Sequence, residues 1–249
     1  MTELIDKLKA DLDKVFEEET ILKSGFYLKQ YEWIHKNTSK LVGRNLLDWG
    51  AGYGHFSYIQ SMLGKNVTAL SPQEDDYTIY TKSLKSLSEK GKFECYFTDS
   101  PIKLPFRNNQ FDIAVSCGVL EHVREFKGDD TSSLKELNRV LINSGFLVIA
   151  HLPNKYSWIE FISRLFNRQH HAFLYSKKEI ISKINDSGFY VVKHKRYGFL
   201  PKNMMSKIIL KISKNRIKKI EVLFYYFDNI LSNLFPWFSQ NHFLIVKKQ

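Results

Sequence analysis

The segment "LLDWGAGYGHFS", residues 46–57, sets Gly50, Gly52 and Gly54 at alternate positions behind a short apolar run and an aspartate, Asp48. Glycines in a strand-to-helix turn tolerate left-handed dihedrals and remove the Cβ atoms that would collide with a bound group. The helix that follows offers free N–H donors to a carboxylate or phosphate. Dinucleotide sites space their glycines as G-x-G-x-x-G, because a pyrophosphate must sit over the helix start. Here the spacing is G-x-G-x-G with a carboxylate ahead of it. That pattern suits a ligand carrying positive charge, such as an ammonium group, better than one carrying phosphates. Four histidines lie further along: His122, His151 and the adjacent pair His170 and His171. Near neutral pH, histidine is the side chain suited to take a proton from a hydroxyl. No metal-binding spacing joins them.

Residues of this kind need a frame, and the apolar pattern supplies one. Runs rich in branched or aromatic residues at 45–49, 66–70, 93–98, 111–117 and 145–152 read as strands. Helical patterns separate most of them. "SPQE" reads as a capping box, with Ser71 as N-cap, Pro72 as first helical residue and Glu74 as reciprocal partner of a helix to about 89. "SSLKELNRVLINSG" repeats the grammar with Ser133, Glu136 and a closing Gly145, and "SKKEIISKINDSG" does so with Ser176, Glu179 and Gly188. Strands alternating with single helices predict an α/β, doubly wound, mostly parallel sheet. "GFYVVKHKRYGFL" and "HFLIVKK" add two strands, seven in all, on either side of some forty basic, helical and aromatic residues. The expected plan is one domain: a helical segment 1–40, a core 41–200, a helical basic insertion 201–240 and a final strand 241–249.

The chain has 249 residues, 43% hydrophobic and 14% aromatic, which excludes a disordered or fibrous protein. No repeat or low-complexity tract interrupts it. Cys95 and Cys117 sit in apolar stretches, and the acidic start lacks the apolar core of a signal peptide, so a cytoplasmic protein is expected. Net charge is +11, concentrated in residues 201–249, where nine Lys and Arg face two acids. Residues 1–20 run the other way, with seven acids against three lysines, and read as a solvated helix face.

Together "LLDWGAGYG", "FTDS", "LPF", "FDIAVSCGVLEHV" and "LPNKYS" resemble the class I S-adenosylmethionine-dependent methyltransferases, in particular the branch related to small-molecule, quinone and glycan methyltransferases. The resemblance spans about residues 40–200. It implies that Asp48 and the turn Gly50, Ala51, Gly52 and Gly54 hold the methionine part of S-adenosyl-L-methionine. It further implies that Asp99 and Ser100 sit by the adenine, and that Ser116, Cys117 and Gly118 line the cleft beneath the sulfonium. Asp99 also reads as a turn former before "SPIKLP", and Cys117 as a small buried hydrophobe. One position departs from the family: where it places a carboxylate for the ribose hydroxyls, 23 residues after Asp48, this chain has Ser71. A serine accepts one such bond, so Ser71 either contributes weakly or serves only as a helix cap, leaving Glu74 or water at the ribose. A lost bond to a charged acceptor costs roughly 1.5–3 kcal/mol.

Methyl transfer from a sulfonium depends mainly on holding the acceptor in line, with a base where the acceptor is a hydroxyl. His171, in "RQHHAFLYSKKE", is the preferred base, with His170 beside it as a substrate contact. His122 in "VLEHV" reads equally as a general cofactor-side residue, and His151 as a strand residue with a satisfied ring. Tyr27 and Tyr31, ahead of the first strand, either close over the cofactor and substrate or pack in the core. The insertion interleaves Lys202, Lys207, Lys211, Lys214, Arg216, Lys218 and Lys219 with apolar and aromatic residues. It reads either as a subdomain packed on the sheet or as a peripheral contact, through 202–238, with the inner face of a membrane. The resulting expectation is methylation of an oxygen or nitrogen on a small-molecule, glycan or lipid-linked amphiphilic acceptor, without a metal. The alternatives are a catalytically weak binding or scaffold subunit and, since basic residues with aromatics also fit nucleic acid, an RNA methyltransferase; no RNA-binding module is present.

Overall fold

A computed structural model describes residues 2–14, 25–72, 78–125, 128–168, 171–202, 204–205 and 214–249. Helices α1 (Thr2–Leu12) and α2 (Gly25–Thr38) precede β1 (Asn45–Trp49), α3 (His55–Met62), β2 (Asn66–Pro72), α4 (Thr78–Gly91) and β3 (Glu94–Thr98). Then come β4 (Phe111–Cys117), a short 3-10 turn (Leu120–His122), α5 (Asp130–Val140), β5 (Leu141–Pro153), α6 (Trp158–Leu165), α7 (Lys177–Asp186) and β6 (Phe189–Tyr197). The chain ends in α8 (Lys214–Leu234), a 3-10 turn (Pro236–Phe238) and β7 (Asn241–Lys248).

Seven strands form one sheet in the order β3-β2-β1-β4-β5-β7-β6. All neighbours are parallel except β7, which runs antiparallel between β5 and β6. The inner strands are apolar on both sides because helices cover both faces. Leu46, Ile113, Val115 and Val148 pack toward α1–α4, whereas Leu47, Ala114, Leu147 and Ile149 pack toward α5 and α7. The chain leaves β1 in one direction for β2 and returns on its other side as β4, so a crevice opens at their carboxyl ends. That crevice is where the glycine segment lies.

Three local expectations are corrected. Strand β2 runs on through Ser71 and Pro72, paired with Phe97 and Thr98 of β3, so Ser71 does not cap the next helix; α4 starts at Thr78, and Glu74 lies outside the described residues. Helix α5 begins earlier than Ser133, because Asp129 accepts the main-chain N–H groups of Thr131 and Ser132 and is the cap. Glu136 instead binds Arg139 and the amide of Leu104, and Gly145 lies inside β5. The box at Ser176 and Glu179 forms as read, each side chain bonded to the other's main-chain N–H.

The acidic N-terminal helix is solvated on one side only. Ile5, Leu8 and Leu12 are buried, and Asp11 turns inward to accept the Tyr58 hydroxyl at 2.7 Å. Helix α8 buries Phe224 against Leu200, Met205 and Ile220, yet leaves Val222, Tyr226, Phe227 and Leu234 exposed. Lys207 and Lys211 lie outside the described residues, as do the side chains of Lys214, Arg216 and Lys218. Among the described residues no helix is long and apolar enough to cross a membrane.

Candidate functional site

The turn after β1 is held open by its own backbone. Gly50 and Ala51 both donate to the Leu70 carbonyl of β2, at 2.8 and 2.9 Å, and Gly54 donates to Ala51. Gly50 takes φ +78°, and a Cβ there would lie 2.3 Å from a methyl of Val119, so the chain passes against the loop after β4. Gly52, at φ +53°, is different: a Cβ there would meet nothing nearer than 4.0 Å. Its missing side chain leaves room that no atom of the described residues fills.

Beneath this turn Asp48 is buried and accepts the Ser57 hydroxyl at 2.6 Å together with the Ser57 main-chain N–H. The carboxylate thus anchors the start of α3, and burial raises its pKa to about 6. Helix α3 has no side-chain cap of its own, since Gly54 occupies that position. Its first residue, His55, is buried with Nε2 unpartnered among the described residues, and burial lowers its pKa to about 3. The rings of Tyr27, Tyr31 and Tyr53 each lie 5.8 Å from that of His55. Tyr27 and Tyr31 therefore pack from α2 against the first residue after the glycine turn, and the sequence pattern singles out neither His55 nor Tyr53.

A cavity of about 320 Å³ opens beside the turn. Gly50, Ser71, Asp99, Ser100, Val119 and His122 are among its walls, which brings together the ends of β1, β2, β3 and the loop after β4. Ser71 is thus a wall residue rather than a cap. Ser116 is buried with its hydroxyl unpartnered among the described residues, and Cys117, next along, has its thiol pushed up by burial and by the Asp48 charge. Gly118 faces Glu121 and His151: a Cβ on it would sit 3.8 Å from Glu121 Oε1 and 3.7 Å from His151 Cβ.

The histidines separate into three environments. His122 stands on the first cavity with Nδ1 3.1 Å from the Glu125 carboxylate. His171 lies with its ring 6.2 Å from that of His122, and its Nδ1 is 2.8 Å from Oε1 of buried Glu160. Burial alone would lower the His171 pKa, but the bond to Glu160 and the charges of Glu160, Glu121 and Glu125 raise it above 6.5. His151 holds φ +56° at the end of β5; its main-chain N–H donates to the Tyr197 hydroxyl at 2.9 Å, and that hydroxyl lies 3.0 Å from its Nδ1. His170 lies outside the described residues. Glu121, buried with Oε2 unpartnered and its pKa raised to about 7 by burial, is an acid the sequence reading passed over although it adjoins His122 in "VLEHV".

A second cavity, about 560 Å³, lies under α8 against the far half of the sheet. Trp33, His151, Tyr197, Lys202, Tyr225 and Asp228 are on its walls. Lys202 does not belong to a solvated basic face: it hydrogen-bonds Gln30 of α2, lies 5.6 Å from the centre of the Tyr27 ring, and burial lowers its pKa to about 8. No cluster of metal-ligating side chains occurs among the described residues.

Residues 47–149 match a family described as a methyltransferase domain. An uncharacterized protein of Methanocaldococcus jannaschii is 30% identical over 204 residues, which is 81% of this chain and 76% of that one. A Galdieria sulphuraria protein proposed to be a sarcosine dimethylglycine methyltransferase superposes with a TM-score of 0.63 at 16% identity, over 90% of this chain and 86% of that one. A SAM-dependent methyltransferase of Thermotoga maritima does so with a TM-score of 0.59 at 13% identity, over the whole of both chains. The chain belongs to the class I S-adenosylmethionine-dependent methyltransferases. The residues present fit that cofactor: the room above Gly52, the cavity at the strand ends and the buried carboxylate below the turn suit a nucleoside joined to a charged amino acid.

Proposed function

We propose that this enzyme methylates an oxygen or nitrogen of a small-molecule, glycan or lipid-linked acceptor taken into the second cavity. The observation that carries the reading is a pair of cavities, one beside the glycine turn and a second holding Lys202 and His151, the latter next to Gly118 just after β4. S-adenosylmethionine, when bound, supplies a methyl group activated by its sulfonium. The turn Gly50, Ala51, Gly52 and Gly54 would hold the amino-acid part, with Asp48 providing negative charge below it. Asp99 and Ser100 would meet the adenine, Ser71 one ribose hydroxyl, and Ser116, Cys117 and Gly118 the floor of the cleft. Tyr27 and Tyr31 exclude water from above.

His171 is the proposed base, although it lines neither cavity: its ring lies 6.2 Å from that of His122, on the wall of the first, so the acceptor's reacting hydroxyl must reach out of the second cavity toward it. Glu160 receives its Nδ1–H, which leaves Nε2 as the acceptor that can take a proton from an acceptor hydroxyl. Calorimetric titration with S-adenosylhomocysteine, followed by incubation with methyl-labelled cofactor and fractionated host extract, tests the reading. Saturable binding and a labelled product support it. Failure to bind at millimolar concentration leaves a scaffold role, a reading that the absence of a ribose carboxylate at Ser71 favours.

A lipid-linked acceptor is favoured within this class by the surface. Phe161 and Leu165 of α6 and Phe166 just after it are 63%, 64% and 70% exposed, and they continue through Trp158, Phe199 and Phe235 to exposed Trp237 and Phe238. Arg196 stacks on Trp237 at 4.6 Å. Aromatics beside cations suit a peripheral position at the inner, anionic face of the cytoplasmic membrane.

A further inference from the structure

The second cavity holds a polar pair that the transfer of a methyl group does not by itself require. The Tyr197 hydroxyl already accepts the main-chain N–H of His151, and among the described residues its proton has one acceptor in reach, Nδ1 of the same histidine. That pattern assigns the tautomer: Nδ1 accepts, so Nε2 carries the proton. His151 is therefore a donor, the opposite of His171, whose Nδ1–H goes to Glu160. The His151 Nε2–H is buried with no partner among the described residues. A buried donor left unmatched destabilises the fold, a loss that a ligand acceptor would recover.

On the walls of the same cavity stands Lys202, tied to Gln30 and close enough for its charge to act on His151 and to feel the Cys117 thiol at the end of β4. Asp228, the one acid on these walls among the described residues, accepts the main-chain amides of Phe199 and Leu200, and its charge and that of Lys202 act on each other. The walls also carry the cations Lys36, Lys195 and Arg196 and several amide side chains, and on one part of them rings gather: Trp33, stacked on Tyr197 at 4.3 Å, with Tyr225 and Tyr226. A cation and a buried N–H donor belonging to two wall residues of one cavity match an anionic oxygen, and the rings match a planar body.

We propose that Lys202 and His151 Nε2–H together hold an acidic oxygen, a carboxylate or an ionisable ring hydroxyl, on a planar aromatic methyl acceptor. This rests on the second cavity being the acceptor site. It assigns His151 to acceptor recognition and leaves His171 as the base.

The test is calorimetric binding of a ladder of ring acids, benzoate, naphthoate and anthracene carboxylate, each against its neutral amide, to the full chain. At least one acid should bind about tenfold or more tightly than its amide. Lys202→Met should erase that preference and Lys202→Arg should restore part of it; His151→Asn, which tolerates positive φ and keeps a donor, should weaken it by less. An amide that binds as well as its acid, a preference that survives Lys202→Met, or no saturable binding of any acid into the millimolar range overturns the proposal. S-adenosylhomocysteine is titrated on the same samples. Acid preference in a protein that fails to bind the nucleoside upholds this site while removing the methyltransferase reading.

Discussion

Nδ1 of His171 lies 2.8 Å from Oε1 of Glu160, a buried carboxylate in the first turn of α6, and the bond fixes which ring nitrogen faces outward. A base acts when neutral, and this imidazole has its pKa raised above 6.5. Turnover should therefore climb as pH passes upward through that raised value and level off beyond it. Glu160→Gln removes the charge that raises the pKa, so the midpoint should move to lower pH while the plateau falls. His171→Ala should lower kcat by about 10²–10⁴ with cofactor affinity kept. Profiles of kcat against pH for the three proteins decide it; an unchanged plateau in His171→Ala removes the base.

Asp48 is buried where its charge works against the fold. With the folded pKa near 6 against 3.8 for an ordinary aspartate, the native state holds the proton more tightly than the unfolded chain. The linkage sign follows: stability is greatest below 3.8, declines as pH rises toward 6, and stays reduced above it. Ionisation in that environment costs on the order of 3 kcal/mol at neutral pH. Asp48→Asn, which can still accept the Ser57 hydroxyl, should raise Tm at pH 7, leave it nearly unchanged at pH 3, and weaken S-adenosylhomocysteine binding. A drop in Tm at pH 7 contradicts the account.

Two neighbouring glycines should answer differently to the same substitution. Gly50→Ala drives a methyl into Val119, so it should lower Tm strongly and be partly rescued by Val119→Ala. Gly52→Ala meets open space and bears only the left-handed strain, about 1–2 kcal/mol, so the protein should fold while nucleoside affinity collapses. Thermal unfolding and calorimetry on the two variants separate packing from ligand clearance.

The cofactor half of this molecule is legible in its sequence because each element there is local. A glycine turn, its preceding strand and the helix after it lie within residues 45–62, and the apolar runs mark the strands directly. Ser71 reads as a cap because "SPQE" satisfies the local grammar of a helix start, while the ladder to Phe97 that keeps it in β2 is a contact between distant segments. Asp129 went unread as a cap because Ser133 offers the same side-chain chemistry one turn later. The region around His171 and Lys202 is harder still. His171 meets Glu160 across eleven residues, and Lys202 meets Gln30 across 172, pairings that no spacing rule announces. Lys202 in particular looked like one of a row of solvated cations, and only the packing of α2 and α8 over β6 turns it inward.

The aromatic face formed by α6 and the Pro236–Phe238 turn predicts lipid binding that depends on rings and charge together. Burying one phenylalanine side chain in an interface is worth about 1.5–3 kcal/mol, so Phe161→Ser with Phe166→Ser should reduce partitioning onto anionic vesicles by well over tenfold. Neither ring lines the two cavities, so binding of S-adenosylhomocysteine should be unaffected by the pair. Raising salt should weaken vesicle binding of the unaltered protein, because the cations beside the rings act through a screened potential. Neutral phosphatidylcholine vesicles should retain little of it. Co-sedimentation across lipid composition and salt measures all three effects. Binding that is equal on neutral and anionic vesicles, or untouched by loss of both rings, assigns this face to another role and returns the acceptor to soluble compounds.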